Sequence, residues 1–181
     1  MTPLQRASRA PAGDRRRALA RLAPLAWACA TLPATVTRAL AAPEALAVRW
    51  PTVHDLDGRL LTPPWERGHA TVVVFFSTRC GFCIRHNARL HALMQREPGL
   101  ALTVLLAAQD SPPDAVRPHL VRHGYRLFEV TMDSGPLHAA LSPRRVTPLT
   151  VVIDRAGLQR ETIPGEMAED DIAALARRAK A

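Results

Sequence analysis

Cysteine is scarce in this chain: 181 residues hold only Cys29, Cys80 and Cys83. A disulfide framework is excluded, because it needs more bridges in a smaller chain. A structural zinc site needs four ligands, and no second CxxC supplies them. Haem attachment needs CxxCH, and Ile84 follows Cys83. No glycine-rich loop follows a strand, which argues against a nucleotide cofactor. There is no internal repeat, and no low-complexity segment beyond an Ala-rich leader. Lysine is nearly missing too, Lys180 being the only one; this compositional bias carries no function.

What is present is 48% hydrophobic and 22% charged, the balance of an ordinary globular protein with one real core. The formal charge of +8 is unevenly placed. Residues 1 to 41 carry seven arginines against Asp14, so the remaining 17 basic and 15 acidic residues leave only +2. A nucleic-acid footprint on the folded part is therefore not expected.

The leader reads as an export signal. Arg15, Arg16, Arg17 and Arg21 precede sixteen uncharged residues, Leu22 to Thr37, and then Ala39, Leu40 and Ala41 form an A-x-A cleavage pattern. Cleavage after Ala41 divides the chain into a signal peptide, 1–41, and a domain, 42–181, and removes Cys29. The apolar stretch, interrupted by Pro24 and Pro33, is shorter than the roughly 20 residues of a spanning helix. The location expected is periplasmic or otherwise extracytoplasmic, with an uncleaved leader acting as a membrane anchor as the alternative. The Arg15–Arg16 pair is too loose a twin-arginine match to choose an export route.

After the leader, Trp50 to Val53 and Leu60 to Leu61 flank Asp57-Gly58, a hairpin-turn signal, so a small N-terminal β-hairpin is expected. Val72 to Phe76 is an unbroken apolar run, the pattern of a strand buried on both faces. Gly81 to Glu97 has helical periodicity and stops at Pro98-Gly99. Leu100 to Ala107 is the next buried strand, parallel to the first. Asp114 reads as the N-cap of a helix to about His123, ended or kinked by Pro118. A strand at Phe128 to Met132, a helix at Ser134 to Leu141, a hairpin of Leu149 to Ile153 with Leu158 to Ile163, and a helix at Ala168 to Ala179 complete one α/β domain.

The two remaining cysteines sit where a buried strand hands over to a helix. At i and i+3 their sulfurs are within reach of one disulfide, and the first lies where unpaired backbone N–H groups and the helix dipole favour an anion. Cys80 is therefore the expected attacking thiolate and Cys83 the buried resolving thiol. Gly81 allows close approach of a partner backbone, and Phe82 offers an apolar contact. Arg79, Arg85 and His86 are expected to make the surroundings electropositive. A disulfide with no exchange role is the weaker reading, since so short a loop constrains the unfolded chain little. A copper-binding chaperone or assembly module using both sulfurs and a nearby His, His86 for example, is the non-enzymatic alternative.

The combination VVVFF, then RCGFC opening a helix, then VTPLTVVID leading into a D-x-x-G hairpin resembles the thioredoxin superfamily, and the TlpA-like exported thiol-disulfide oxidoreductases in particular. The resemblance runs from about Val48 to Ala181. It implies a thioredoxin-like fold, a central mixed β-sheet flanked by helices, with a helical insertion at about Asp110 to Tyr125. It implies a cis Pro148 facing the sulfurs, with the Thr147 backbone pairing with a bound substrate segment. It also implies protein disulfide or dithiol substrates, a membrane thiol-transfer protein as electron donor, action as a monomer without a cofactor, and the reductant direction, a dithiol oxidase being the alternative. The chain departs from the family at Arg79 and Phe82, where Trp and Pro are usual, at His86, where many members are acidic, and at Val74, where thioredoxin keeps a buried Asp.

Other residues have simpler readings. His119 and His123 have metal-ligand spacing, but a pair specifies no site and a solvated helix face is the plainer expectation. His54, His69, His91 and His138 form no constellation. Trp50 and Trp65 read as packing. Arg144 and Arg145 read as a solvated turn, or as a means of steering an acidic substrate.

Overall fold

The computed structural model describes residues 46–180. The leader, its cleavage point after Ala41, and Cys29 lie outside the described residues. The strands are β1 (Leu46–Ala47), β2 (Ala70–Phe76), β3 (Leu102–Ala108), β4 (Glu129–Thr131), β5 (Leu149–Ile153) and β6 (Leu158–Pro164). The helices are α1 (Gly81–Arg96), α2 (Pro113–His123), α3 (Ser134–Leu141) and α4 (Glu169–Lys180). Among the described residues, no helix is long and apolar enough to cross a membrane.

One mixed sheet runs β1-β6-β5-β2-β3-β4. Strands β2, β3 and β4 are parallel, and β5 joins β2 antiparallel, so Val73 lies between Leu105 and Val151. Every residue of β2 is buried, because helices cover both faces of the sheet. The two-residue period of the strand then sorts the core into two clusters. Val72, Val74 and Phe76 pack with Cys83, Leu90 and Leu93 of α1, Val116 of α2, and Ile172 and Leu175 of α4. Val73 and Phe75 pack with Leu137 and Leu141 of α3 and with Val53, with Trp50 and Trp65 against them. Cys83 thus belongs to the interior, while Cys80 stands at the carboxyl end of the central strand.

Three local expectations are adjusted. The N-terminal hairpin closes on a single bridge, His54 to Leu60, whose turn is fastened by the Asp55 carboxylate accepting from the backbones of Asp57 and Arg59, both at 2.8 Å. The true first strand, β1, lies earlier and pairs with β6 at the sheet edge. Helix α2 begins on Pro112 and not Asp114, with Pro113 in its first turn, and continues through Pro118. Both Pro118 and Asp114, whose carbonyl the missing N–H leaves without that helical donor, are exposed, so the gap lies on the solvent face of the helix.

The turn between β5 and β6 shows how the N-terminal segment is fixed. Gly157 has φ of +75° and donates to the Asp154 carbonyl, and its own carbonyl accepts from Val48 at 2.9 Å. A Cβ at Gly157 would stand 2.9 Å from the Trp65 indole nitrogen, and Trp65 is itself edge-on to Trp50 at 5.3 Å. Both tryptophans pack as expected. Gly157→Ala combines left-handed strain with this clash and should cost about 2 kcal/mol, lowering Tm by roughly 5 to 10 °C. A thermal melt identical to wild type would show that the indole simply gives way.

Candidate active site

The turn Ser77 to Arg79 brings the chain from β2 into α1. Cys80 N–H donates to the Ser77 carbonyl at 3.1 Å, and Thr78 N–H donates to the Ser111 hydroxyl at 3.0 Å, tying the turn to the loop after β3. Cys80 is the N-cap of α1 in extended conformation, and its sulfur accepts from Cys83 N–H at 3.2 Å. A helix start leaves such N–H groups without partners, and here one of them is directed at sulfur.

Opposite the sulfur lies the loop before β5. The Thr147–Pro148 peptide bond is cis, and Cys80 Sγ is 3.6 Å from the Thr147 carbonyl oxygen, to which its thiol donates. The Pro148 carbonyl accepts from Gly165 N–H at 2.8 Å, which brings the end of β6 beside this loop. A cleft of about 530 Å³ opens there, lined by Phe82, Thr147, Pro148, Gly165, Glu166 and Met167 among others.

Both cysteines are free, and their environments differ. Cys83 is fully buried, and burial above all, then the hydrogen bond to the Cys80 sulfur, pushes its thiol from 9.0 up to about 12. Cys83 therefore holds its proton, while Cys80 is only partly buried at the helix start. Val74 is buried and apolar.

The expected tuning residues divide. Phe82 is 59% exposed at the cleft rim, with the Arg85 guanidinium 4.9 Å from its ring centroid. Arg85 is held in turn by both oxygens of Glu166, and the Cys80 charge adds to its stabilisation as a cation. Arg79 is exposed beside Cys80 and forms no ion pair among the described residues. Gly81 is exposed, with open space where a Cβ would stand, so the fold itself does not demand glycine there.

His86 corrects the expectation set for it. Its side chain is fully buried, Nδ1 accepts from Met167 N–H at 3.2 Å, and Nε2 therefore carries the hydrogen that it donates to the Thr150 hydroxyl at 3.1 Å. Burial pushes its pKa down from 6.5 to about 4, so the ring is neutral and adds no positive charge at Cys80. With both nitrogens engaged, it is no third ligand for a metal on the sulfurs. The reason is helical phase: three residues after Cys83, it shares the inward stripe with Cys83, Asn87 and Leu90. His119 is corrected likewise. It is 4% exposed, packed on Phe76 and 4.6 Å from the His123 ring, because position 119 falls on the same face of α2 as Val116. Among the described residues, no cluster of three His, Cys, Asp or Glu could hold a metal.

Two arrangements escaped the sequence. Glu166 is clamped by Arg85 and Arg89, and Arg89 also donates to the Met167 carbonyl at 2.9 Å, fastening the cleft wall to α1. His138, buried and stacked on Phe75 at 3.7 Å, meets Gln109 Oε1 at 2.6 Å and the Ser142 carbonyl at 2.9 Å. Gln109 Nε2 donates in turn to the Arg145 carbonyl at 3.1 Å, so the loop leading to Thr147 is pinned. Both arrangements join residues far apart in sequence through lone polar side chains, which leave no local pattern.

A Chlorobium tepidum thiol:disulfide interchange protein of the thioredoxin family superposes with a TM-score of 0.63 at 20% identity, over 73% of this chain and 98% of that one. The chain has the thioredoxin fold. A secreted Mycobacterium tuberculosis disulfide oxidoreductase, described as homologous to E. coli DsbE, matches this thioredoxin-like chain at TM-score 0.59 and 18% identity, over 70% and 93% of the two chains. A Corynebacterium glutamicum thiol-disulfide isomerase gives 0.60 and 17%, over 75% and 96%. No family model matches the chain, and no curated protein matches it in sequence. In this thioredoxin-like frame, Cys80 opens the helix after the central strand and Pro148 is the cis residue facing it.

Proposed function

We propose that this chain is an exported thiol-disulfide oxidoreductase that exchanges disulfides with protein substrates through Cys80 and Cys83, acting as a reductant. The observation that carries the reading is the asymmetry of the pair: Cys80 Sγ rests on a helix N–H and faces the Thr147 carbonyl beside an open cleft, while Cys83 is buried with its proton retained. The Cys80 thiolate attacks one sulfur of a substrate disulfide, forming a mixed disulfide and expelling the other sulfur as a thiolate. Cys83 then gives up its proton and attacks Cys80, releasing the second substrate thiolate. Two electrons pass to the substrate, whose two thiolates take up the Cys83 proton and one from water. The oxidised pair is re-reduced by a dithiol carrier, a membrane thiol-transfer protein under this reading. Thr147 and Pro148 offer the backbone along which a substrate segment lies, and the open space at Gly81 accommodates it. The arginine-rich leader with its A-x-A end supports export, with the signal peptide at 1–41.

Turnover of insulin disulfides with dithiothreitol as the reductant tests the proposal. Wild type should exceed the uncatalysed rate, and Cys80→Ser should fall to background, a loss of at least about a thousandfold, since a neutral hydroxyl does not displace sulfur. Equal rates for the two would end the catalytic claim. A reduction potential near about −270 mV fits a reductant, and one near about −120 mV the oxidase alternative.

A further inference from the structure

Exposed arginines stand on both chain segments that meet at the Cys80 sulfur. Arg79 directly precedes Cys80. Arg144 and Arg145 lie on the pinned loop, three and two residues before the Thr147 carbonyl that meets the Cys80 sulfur, so their long side chains start within about 10 Å of it. All three arginines are exposed, and none forms an ion pair among the described residues. Two carboxylates of these loops are already engaged: Asp110 accepts from Gln109, and Glu166 is taken up between Arg85 and Arg89. Among the described residues, Arg79, Arg144 and Arg145 are thus left as exposed, unpaired cations on the two segments that meet at the Cys80 sulfur. Phe82 lines the cleft, and Val146, 47% exposed, directly precedes Thr147.

We propose that Arg79, Arg144 and Arg145 select protein substrates whose reactive cysteine is flanked by acidic residues, with an apolar neighbour seated against Phe82. This rests on the oxidoreductase reading above and names the substrate class for that site. The arginines act by charge complementarity: they raise the encounter rate with an acidic segment and disfavour a basic one, and as exposed charges they do so most strongly at low ionic strength. The loop carrying Arg144 and Arg145 is pinned through the Arg145 carbonyl and leads directly to Thr147, so the preference is tied to the segment next to the scissile disulfide and not to the substrate's overall charge.

The test uses three disulfide-bridged peptides identical except for Glu, Ser or Lys on either side of one cysteine, with neutral 2-hydroxyethyl disulfide as a small substrate. At low ionic strength, kcat/KM for the Glu peptide should exceed that for the Lys peptide by roughly tenfold, shrinking to below about threefold in 0.5 M salt. The double variant Arg144→Glu/Arg145→Glu should invert the ratio. The readout is a ratio within each protein, so a general loss of activity or folding does not mimic it, and the salt series on wild type stands without any variant. Turnover of all three peptides at equal kcat/KM at low salt overturns the selectivity and leaves the oxidoreductase reading in place, as does a ratio that the double reversal fails to move. No turnover of any peptide or of 2-hydroxyethyl disulfide overturns both.

Discussion

Reduced protein exposed to iodoacetamide at pH 7 is expected to carry the alkyl group on Cys80 alone. Alkylation consumes thiolate, and raising the Cys83 thiol from 9.0 to about 12 lowers its thiolate fraction about a thousandfold before its complete burial is counted. Mass spectrometry after proteolysis should find Cys83 unmodified until denaturant is added, when both sites react alike. The same asymmetry predicts that Cys83→Ser accumulates a covalent adduct with one substrate chain per protein, because the first attack proceeds and nothing resolves it. In the proposed cycle, resolution in the wild type would follow from what the first step removes. Once Cys80 is bound in a mixed disulfide, its sulfur bears no charge and is a weaker acceptor, so two of the influences that hold the Cys83 proton lapse and burial remains. Cys83 reacting as fast as Cys80 in the folded protein would reverse the assignment of roles.

The parts of this arrangement that rest on short-range pattern were legible in the sequence. Val72 to Phe76 has the pattern of a strand covered on both sides and Gly81 to Glu97 that of a helix, and Cys80 and Cys83 lie at the junction of the two observed elements. The strand pairs β2 with β3 and β5 with β6 followed from the turns and the crossover between them. What the sequence left hidden depends on which way a helix turns when it docks. His86 looked like a cation beside the sulfurs until α1 was seen to direct it at Thr150 and Met167. His119 looked solvated until α2 laid it on Phe76. Glu166, some eighty residues from Arg85, had no signal at all, because one carboxylate after a glycine resembles any surface turn. Asn87 is similar: it is fully buried on the Cys83 face, with no hydrogen-bond partner for its amide among the described residues, and nothing in IRHNARL marks it.

His86 also supplies the second large effect, on stability as a function of pH. Its pKa in the folded protein is about 4, against 6.5 when unperturbed, with burial the chief cause, Arg89 acting in the same direction and the Glu166 charge opposing. A depressed histidine binds its proton less readily folded than unfolded, so its contribution is complete above pH 6.5 and is lost as pH falls from 6.5 towards 4. The loss amounts to about 3 kcal/mol, a large share of the stability of a single domain. Protonation also has a definite structural meaning, since Nδ1 would carry a hydrogen directed at Met167 N–H, two donors facing each other, and Met167 belongs to the cleft wall. Acid should therefore loosen the segment Gly165 to Ala168 before the sheet fails. The variant His86→Gln keeps an oxygen able to accept from Met167 and cannot titrate. Urea unfolding from pH 7.5 to 4 should show wild type losing stability more steeply than the variant, by up to about 1.4 kcal/mol per pH unit between the two pKa values. The difference between the two curves isolates His86 from His91, His119 and His138, which burial also depresses and which both proteins retain. Parallel curves would mean that the buried ring takes up its proton without cost, and that the neutral strut between α1, β5 and the cleft wall is not what holds this side of the site.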